Sequence, residues 1–446
     1  MTAAIIGGGV AGLTVAYELV KAGERPYLIE PGPIGGMIRS TQRDGFTLEG
    51  GPNVLVERPD LRYLLEELKL ESSIAYPAVN PYGQYVWHNG RACKVPSGLW
   101  EFICSPLFGG LGKVLLPAKV LIPGILPRAK SDYSVLDFFS PLLGERTVRT
   151  LLDPVLKGIY GGDVSELSAR AVFSNLWQAA REGKSIVGYM MSRPTKGKPP
   201  ILVLQGGIQR LTDELWRAVE PYVNFIPRKA ERVVPVDSKR FKILFHGGDQ
   251  LEVDGCVVTA AAASAAPLVA HMSESLSDAL VNVRLAGLTV VHLKVARSER
   301  LIPGAFGVLF PGGMPEDLLG VMFNSQIFPH MAPQKNHLLT VVLGGAQAGE
   351  RVYDEAQLKA RIPALLKQYL GIKDPQWLSM VQWPKAIPQL VVGHHALVAQ
   401  LDQCEKQFPG VVFAGVDRGG VGVSDRIRIA REAVKRFRRV RVETVV

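Results

Sequence analysis

Three glycines near the start of the chain carry the plainest chemistry. Gly7, Gly9 and Gly12, with Gly8, Val10 and Ala11 between them, form a GxGxxG turn after the apolar run Ala3 to Ile6. In a strand–turn–helix setting each glycine has a task. Gly7 permits the tight turn, Gly9 lets the backbone approach a diphosphate, and Gly12 lets the helix pack close to the strand. The free amides and positive dipole end of the helix then face the phosphates. Glu30, 18 residues past Gly12 and followed by Pro31, ends a second apolar run, Pro26 to Ile29. Its carboxylate is placed to accept hydrogen bonds from ribose hydroxyls. Strand, glycines, helix, strand and acid in that order describe an adenine dinucleotide site.

The elements that must hold this site follow from periodicity. Leu13 to Ala22 has helical apolar spacing, closed by Gly23. No second dinucleotide unit occurs: Gly109, Gly110 and Gly112 follow no clear strand and have no acid partner. Without a nicotinamide site, electrons are expected from an organic substrate. The chain divides into discontinuous segments. Residues 1–80 form a first dinucleotide-binding segment, 93–195 a helical insertion, 202–262 a second segment, 270–400 a substrate-binding domain, and 405–446 a third segment. Phe241 to Phe245 and Leu251 to Thr259 read as a strand pair joined at Gly247-Gly248. Leu288 to Val295 and Leu338 to Leu343 read as strands, Asp354 to Tyr369 as a helix. Val411 to Ala414 reads as a closing strand leading to Gly415 and a last helix.

Composition sets limits. The 446 residues, 47% hydrophobic and 21% charged, can bury enough surface to enclose a large cofactor. The four cysteines show no CxxC pair, so neither a zinc site nor a disulfide framework is expected, and a cytoplasmic setting is the simplest. The apolar stretch Val114 to Leu126 is broken by Pro117 and Pro123 and is too short to span a bilayer, though it can lie in a membrane surface. The net charge of +10 is concentrated in part between Arg426 and Arg441. That run reads as a solvated helix face or as an attraction to anionic lipid or to a polyanionic substrate. No nucleic-acid recognition motif accompanies it.

Further motifs resemble the FAD-dependent amine oxidase superfamily. They are Gly35-Gly36-Met37-Ile38-Arg39-Ser40 and Leu48-Glu49-Gly50-Gly51-Pro52-Asn53. Within that superfamily several segments are similar to the protoporphyrinogen oxidases: Asp153 to Asp163 with Leu167-Ser168, Leu204 to Leu211, Leu319 to Ser325 with Phe328-Pro329, Thr340 to Gly345, Ile387-Pro388-Gln389 with Gly393-His394, and Gly420 to Asp425. The resemblance implies an α/β fold: a Rossmann-type FAD-binding domain, a mixed-sheet substrate domain and a helical membrane-docking insertion. It implies FAD held by Gly35, Gly36 and Met37, by Gly51, Pro52, Asn53 and Val54 beside the isoalloxazine, by the backbone of Val233 near the adenine, by His395, and by Gly415, Val421, Gly422 and Val423. It also implies a porphyrinogen substrate near Gln84, Met322, Phe323 and Val342. Oxygen or a quinone would be the electron acceptor. Peripheral contact with the inner face of the cell membrane and a homodimer complete the expected partners.

The chemistry so implied is a six-electron oxidation in three rounds, with no catalytic side chain because the flavin does the redox work. Four positions depart from the family pattern: Gln84 where an arginine is common, Leu390 for Tyr, Val416 for Asn, and Arg426 for Cys. Gln84 matters most, because glutamine lacks the charged fork that grips a carboxylate; Arg91 or Arg58 are the candidate replacements. Protoporphyrinogen oxidation is therefore set beside three alternatives: coproporphyrinogen oxidation, an amine oxidase or desaturase, and a non-catalytic relative.

Overall fold

A computed structural model describes residues 2–78, 83–96, 101, 104–127, 131–191, 199–237, 240–415 and 418–443. Its first layer is a five-stranded parallel sheet in the order Asn224–Ile226, Tyr27–Ile29, Ala3–Ile6, Gly255–Val258, Val411–Phe413. Ala3–Ile6 and Gly255–Val258 are buried at every position, as strands covered on both faces must be. The Val10–Lys21 helix covers one face with Leu13, Val15, Ala16 and Leu19, joined there by Ile427, Ala430 and Phe437 of the final helix, Val423–Glu443. Val258, Ala262, Ala266 and Leu401 fill the other face. The expected strand from Leu251 to Thr259 is in fact two strands in different sheets. Gln250–Val253 stays in a three-stranded antiparallel sheet, and Gly255–Val258 enters the parallel one. The change of sheet needs Gly255, whose added Cβ would lie 2.5 Å from the Gly410 carbonyl oxygen.

The second layer is a seven-stranded mixed sheet in the order Gln376–Pro388, Leu285–Ala296, Asn336–Gly345, Leu318–Met322, Gly307–Leu309, Gln84–His88, Arg91–Lys94. All pairs are antiparallel except Gly307–Leu309 with Gln84–His88. Its far face packs Val291, Leu293, Val308, Val321, Val341 and Leu343 against the Glu355–Leu370 helix, which Asp354 caps at the Gln357 amide. The helix His394–Gln407, which straddles the end of the expected substrate domain, instead packs Leu397, Leu401 and Cys404 into the core of the parallel sheet.

The helical insertion begins after Arg91–Lys94, since that strand belongs to the mixed sheet. It has its own core of Val135, Phe138, Leu142, Val148, Leu156 and Val164. Backbone bonds from Ser168 N–H to the Leu390 carbonyl (2.8 Å) and from Val392 N–H to the Glu166 carbonyl (2.9 Å) fasten it to the body. Two arginines of the basic run on the last helix are tied to the body of the protein, while Lys435, Arg438 and Arg439 stay exposed. Arg431 pairs with Glu18 (2.7 Å) and Asp60 (2.6 Å), and Arg436 pairs with Glu405 (3.2 Å). Among the described residues no helix is long and apolar enough to cross a membrane, no group of His, Cys, Asp and Glu is placed to hold a metal ion, and the four cysteines are free.

Candidate active site

The glycine turn is built as its spacing predicts, and it is closely supported. Gly7 has φ +118°, and a Cβ there would meet the Thr259 hydroxyl at 2.5 Å. Thr259 Oγ1 donates to the carbonyls of Ile6 and Gly7, both at 3.0 Å, and so braces the turn. A Cβ on Gly12 would lie 1.8 Å from the Gly7 carbonyl oxygen. Gly9 is different: a Cβ there meets nothing within 4 Å. Gly9 is also the N-cap of the Val10–Lys21 helix, which no side chain caps. The turn therefore leaves open space in front of helix amides that have no side-chain acceptor, which suits a diphosphate. Glu30 accepts from Gly8 N–H and Gly32 N–H, both at 2.7 Å, which holds its carboxylate at the mouth of the turn. Pro31 beside it is exposed.

A second turn folds onto the first. Gly35 N–H donates to the Gly8 carbonyl (2.9 Å), and Gly36, at φ +62°, comes so near that its Cβ would be 3.2 Å from the Gly9 Cα. Beyond Met37, the Gly50 N–H donates to the Arg39 carbonyl (2.8 Å), and a Cβ on Gly51 would be 2.0 Å from the Met37 carbonyl oxygen. The segment Glu49–Val54 is thus laid against the dinucleotide turns. Asn53 donates to the Gly51 carbonyl (3.3 Å) and accepts from Asn324 Nδ2 (3.4 Å). The Glu49 carboxyl is buried, with Ser40 Oγ (2.6 Å) and Ile208 N–H (2.9 Å) as donors. Burial outweighs those two bonds and raises its pKa to about 7. Gly207 must be glycine at φ +106°, because a Cβ would strike the Ser40 side chain at 2.4 Å.

At the other end of the chain, Gly415 follows the Val411–Phe413 strand so closely that a Cβ would be 2.5 Å from the Ala260 carbonyl oxygen. Its carbonyl accepts from Arg426 Nη1 (2.8 Å), so the arginine that departs from the family pattern holds the turn it stands beside. Val421, Gly422 and Val423 lead into the last helix, partly open to solvent. Val416 lies outside the described residues. Arg58, a candidate substrate arginine, pairs with Asp425 at 2.6 Å. Arg91 is exposed at the turn end of its hairpin, and Leu390 is buried.

The near face of the mixed sheet is defined by register. One cross-strand row runs Gln84, Gly307, Met322, Thr340, His292, Ser379. The next runs Val86, Leu309, Gly320, Val342, Val290, Val381. Alternate residues of a strand share a face, so Gln84, Met322 and Val342 belong together. That face looks onto the Glu49–Val54 segment: His292 Nε2 meets the Glu49 carbonyl (3.1 Å) and Trp383 Nε1–H donates to the Gly50 carbonyl (2.6 Å). Gln84 is exposed and Met322 and Val342 are half-buried. Phe323 goes elsewhere: it is fully buried in the core beyond the sheet. The strand ends at Met322, and Phe323, which caps the following Asn324–Ile327 turn of helix, swings into that core.

Two other expected cofactor residues belong to other elements. Val233 is a buried residue of Ala230–Pro235, an edge strand of the three-stranded sheet. His395 stands near the start of its helix with Nδ1 3.5 Å from Asp132 Oδ2 of the insertion. Asp132 also accepts from Ser168 Oγ (2.8 Å) and Gly393 N–H (2.9 Å), which makes this cluster a joint between insertion and body. Thr259, His292 and Trp383 had no local signature, since each acts on backbone far away in the chain.

A parallel dinucleotide sheet, paired glycine turns and a mixed sheet facing them are the parts of a flavin-dependent oxidoreductase. The chain belongs to the flavin containing amine oxidoreductases, whose family pattern it matches over residues 10–433. It is 26% identical to coproporphyrinogen III oxidase of Bacillus subtilis, over 96% of each chain. It is 28% identical to the mitochondrial protoporphyrinogen oxidase of Nicotiana tabacum, over 94% of this chain and 91% of the relative. Its fold superposes on a crystal structure from Exiguobacterium assigned as a protoporphyrinogen oxidase, with a TM-score of 0.80 and 21% identity, covering 97% of this chain and 98% of the other. Reduced UDP-galactopyranose mutase is similar with a TM-score of 0.69 at 15% identity, covering 98% of each chain. FAD is the cofactor that this family and this cradle share.

Proposed function

We propose that the protein oxidises a porphyrinogen to a porphyrin, with protoporphyrinogen IX as the preferred substrate. The observation that carries the choice is the sheet face beside Glu49–Val54. Gln84, Met322 and Val342 present amide, thioether and aliphatic groups, and no charge, to the space a substrate would enter, with the Thr340 hydroxyl buried between them. A flat, largely apolar dicarboxylate suits such a wall. Curated relatives that act on porphyrinogens, matched over nearly their whole length, support the same class.

In this reading the Gly7–Gly12 and Gly35–Met37 turns hold the FAD diphosphate, Glu30 the adenosine ribose, and Val233 the adenine through its backbone. Gly51–Val54 and Gly415 with Val421–Val423 flank the isoalloxazine. Bound FAD supplies a two-electron acceptor for each of three oxidations, and oxygen or a quinone takes the electrons onward. Met322, Val342 and Gln84 orient the macrocycle and exclude water. Coproporphyrinogen is the second reading, favoured by full-length similarity to an enzyme of that name. Its four carboxylates would need cations on this wall, and Arg58 is engaged by Asp425.

Peripheral membrane contact belongs to the same proposal. Leu115, Leu121 and Ile122 of the insertion are exposed, with half-buried Lys119 between them in sequence, whose ammonium reaches the Pro141 carbonyl. Such a mixture of bare aliphatics and cation suits a lipid interface. The function is tested by supplying each porphyrinogen in air to FAD-loaded protein and following porphyrin fluorescence. Protoporphyrin formation at a higher kcat/KM than coproporphyrin is the expected result. Failure to oxidise either one rejects the porphyrinogen reading.

A further inference from the structure

The mixed sheet does more than face the Glu49–Gly51 segment; it grips it. His292 lies on the central Leu285–Ala296 strand and is 1% exposed. A carbonyl oxygen only accepts, so the Nε2 that meets the Glu49 carbonyl at 3.1 Å must carry the proton. Nδ1 is then an acceptor, and Ser379 Oγ, 2.9 Å away on the neighbouring strand, donates to it. One neutral tautomer satisfies every polar atom of the ring. On the strand that carries Ser379, Trp383 donates Nε1–H to the next carbonyl, Gly50, at 2.6 Å. Val381 lies between them, its Cγ2 only 3.0 Å from where a Gly50 Cβ would be. From the other side, the Arg39 carbonyl accepts the Gly50 amide, and Met37 closes on Gly51.

We infer that His292 and Trp383 are positioning residues that lock the carbonyls of Glu49 and Gly50, and through them the backbone beside the flavin ring, so that the substrate sheet sets both the affinity and the redox behaviour of FAD. Two donors on consecutive carbonyls, from one rigid sheet, fix the rotation of the peptide planes between them. The planes that follow, Gly51 to Val54, inherit that orientation. Flavin redox behaviour responds to the hydrogen bonds and dipoles at its ring edge. A merely structural contact would hold the two domains together without any such effect. The inference rests on the reading that Gly51–Val54 flanks the isoalloxazine.

The test uses full-length protein loaded with FAD, with His292→Leu, His292→Gln and Trp383→Phe beside the wild type. Three quantities are measured: the FAD dissociation constant, the flavin midpoint potential and visible spectrum, and the melting temperature of the FAD-free protein. His292→Leu removes one buried donor and is expected to weaken FAD binding about tenfold and to shift the potential. His292→Gln, which can still donate to the Glu49 carbonyl, is expected to restore most of both. Trp383→Phe is expected to move the potential as well, with the double variant non-additive because the two donors hold one segment. Unchanged potential, spectrum and FAD affinity in variants whose melting temperature alone falls would overturn the inference and leave the flavin reading standing. Wild-type protein that retains no FAD would overturn both.

Discussion

At the scale of single residues, the glycines of the first turn separate two roles that the motif merges. Gly12 is enclosed by the Gly7 carbonyl, whereas Gly9 faces open space. Gly12→Ala is therefore expected to lower the melting temperature of the FAD-free protein and to abolish FAD retention. Gly9→Ala should leave the FAD-free protein nearly as stable and still weaken FAD binding by roughly tenfold or more, because the methyl group enters the diphosphate space. Thermal melts and FAD titration of both variants check this; equal losses of stability would refute it. Glu49 supplies a pH dependence. Its carboxyl has a pKa of about 7 folded against 4.5 as a free side chain, through burial. A raised carboxyl pKa contributes stability that is fully present below about 4.5 and is lost as pH rises through about 7. At about 1.4 kcal/mol per pKa unit the term is about 3 kcal/mol. Urea midpoints of FAD-free protein should fall between pH 5 and 8, and Glu49→Gln should flatten that slope. His292 has the opposite sign. Burial lowers its pKa to about 4, so its contribution is present above 6.5 and lost as pH falls through 4.

At the scale of elements, what was legible in the sequence is what is local. The strand–turn–helix at Ala3 to Lys21, the Asp354-capped helix and the Phe241–Phe245 hairpin are each specified by neighbours within a few residues. The break between Gln250–Val253 and Gly255–Val258 was not, because its cause is the Gly410 carbonyl, far along the chain. The clamp of His292 on Glu49 spans 243 residues and that of Trp383 on Gly50 spans 333, so no pattern of spacing announces them. Resemblance named Met322 and Phe323 together, but the strand ends at Met322, and Phe323, starting the next helical turn, goes into the core. The insertion carries its own prediction. Leu121→Asp with Ile122→Asp should reduce co-sedimentation with anionic vesicles severalfold while leaving turnover of a soluble substrate unchanged. Equal sedimentation would remove the membrane contact from the account.

At the scale of the whole molecule, two sheets divide the work. The parallel sheet gathers the glycine turns at the ends of its strands, and the mixed sheet turns the face of Gln84, Met322, Val342 and His292 toward the segment they support. Substrate choice should therefore sit at the edge of that face. Gln84→Arg adds a cation to the outermost position of the row and is expected to raise kcat/KM for coproporphyrinogen relative to protoporphyrinogen by about tenfold, the worth of one charged hydrogen bond. No change in that ratio would place the substrate carboxylates elsewhere. The central claim is that electrons pass from a porphyrinogen to FAD held in this cradle. Anaerobic mixing of FAD-loaded protein with protoporphyrinogen IX tests it most directly. The account predicts bleaching of the flavin band with porphyrin formed at one third of an equivalent per flavin. A flavin that stays oxidised with both porphyrinogens, yet bleaches with an amine, would contradict it.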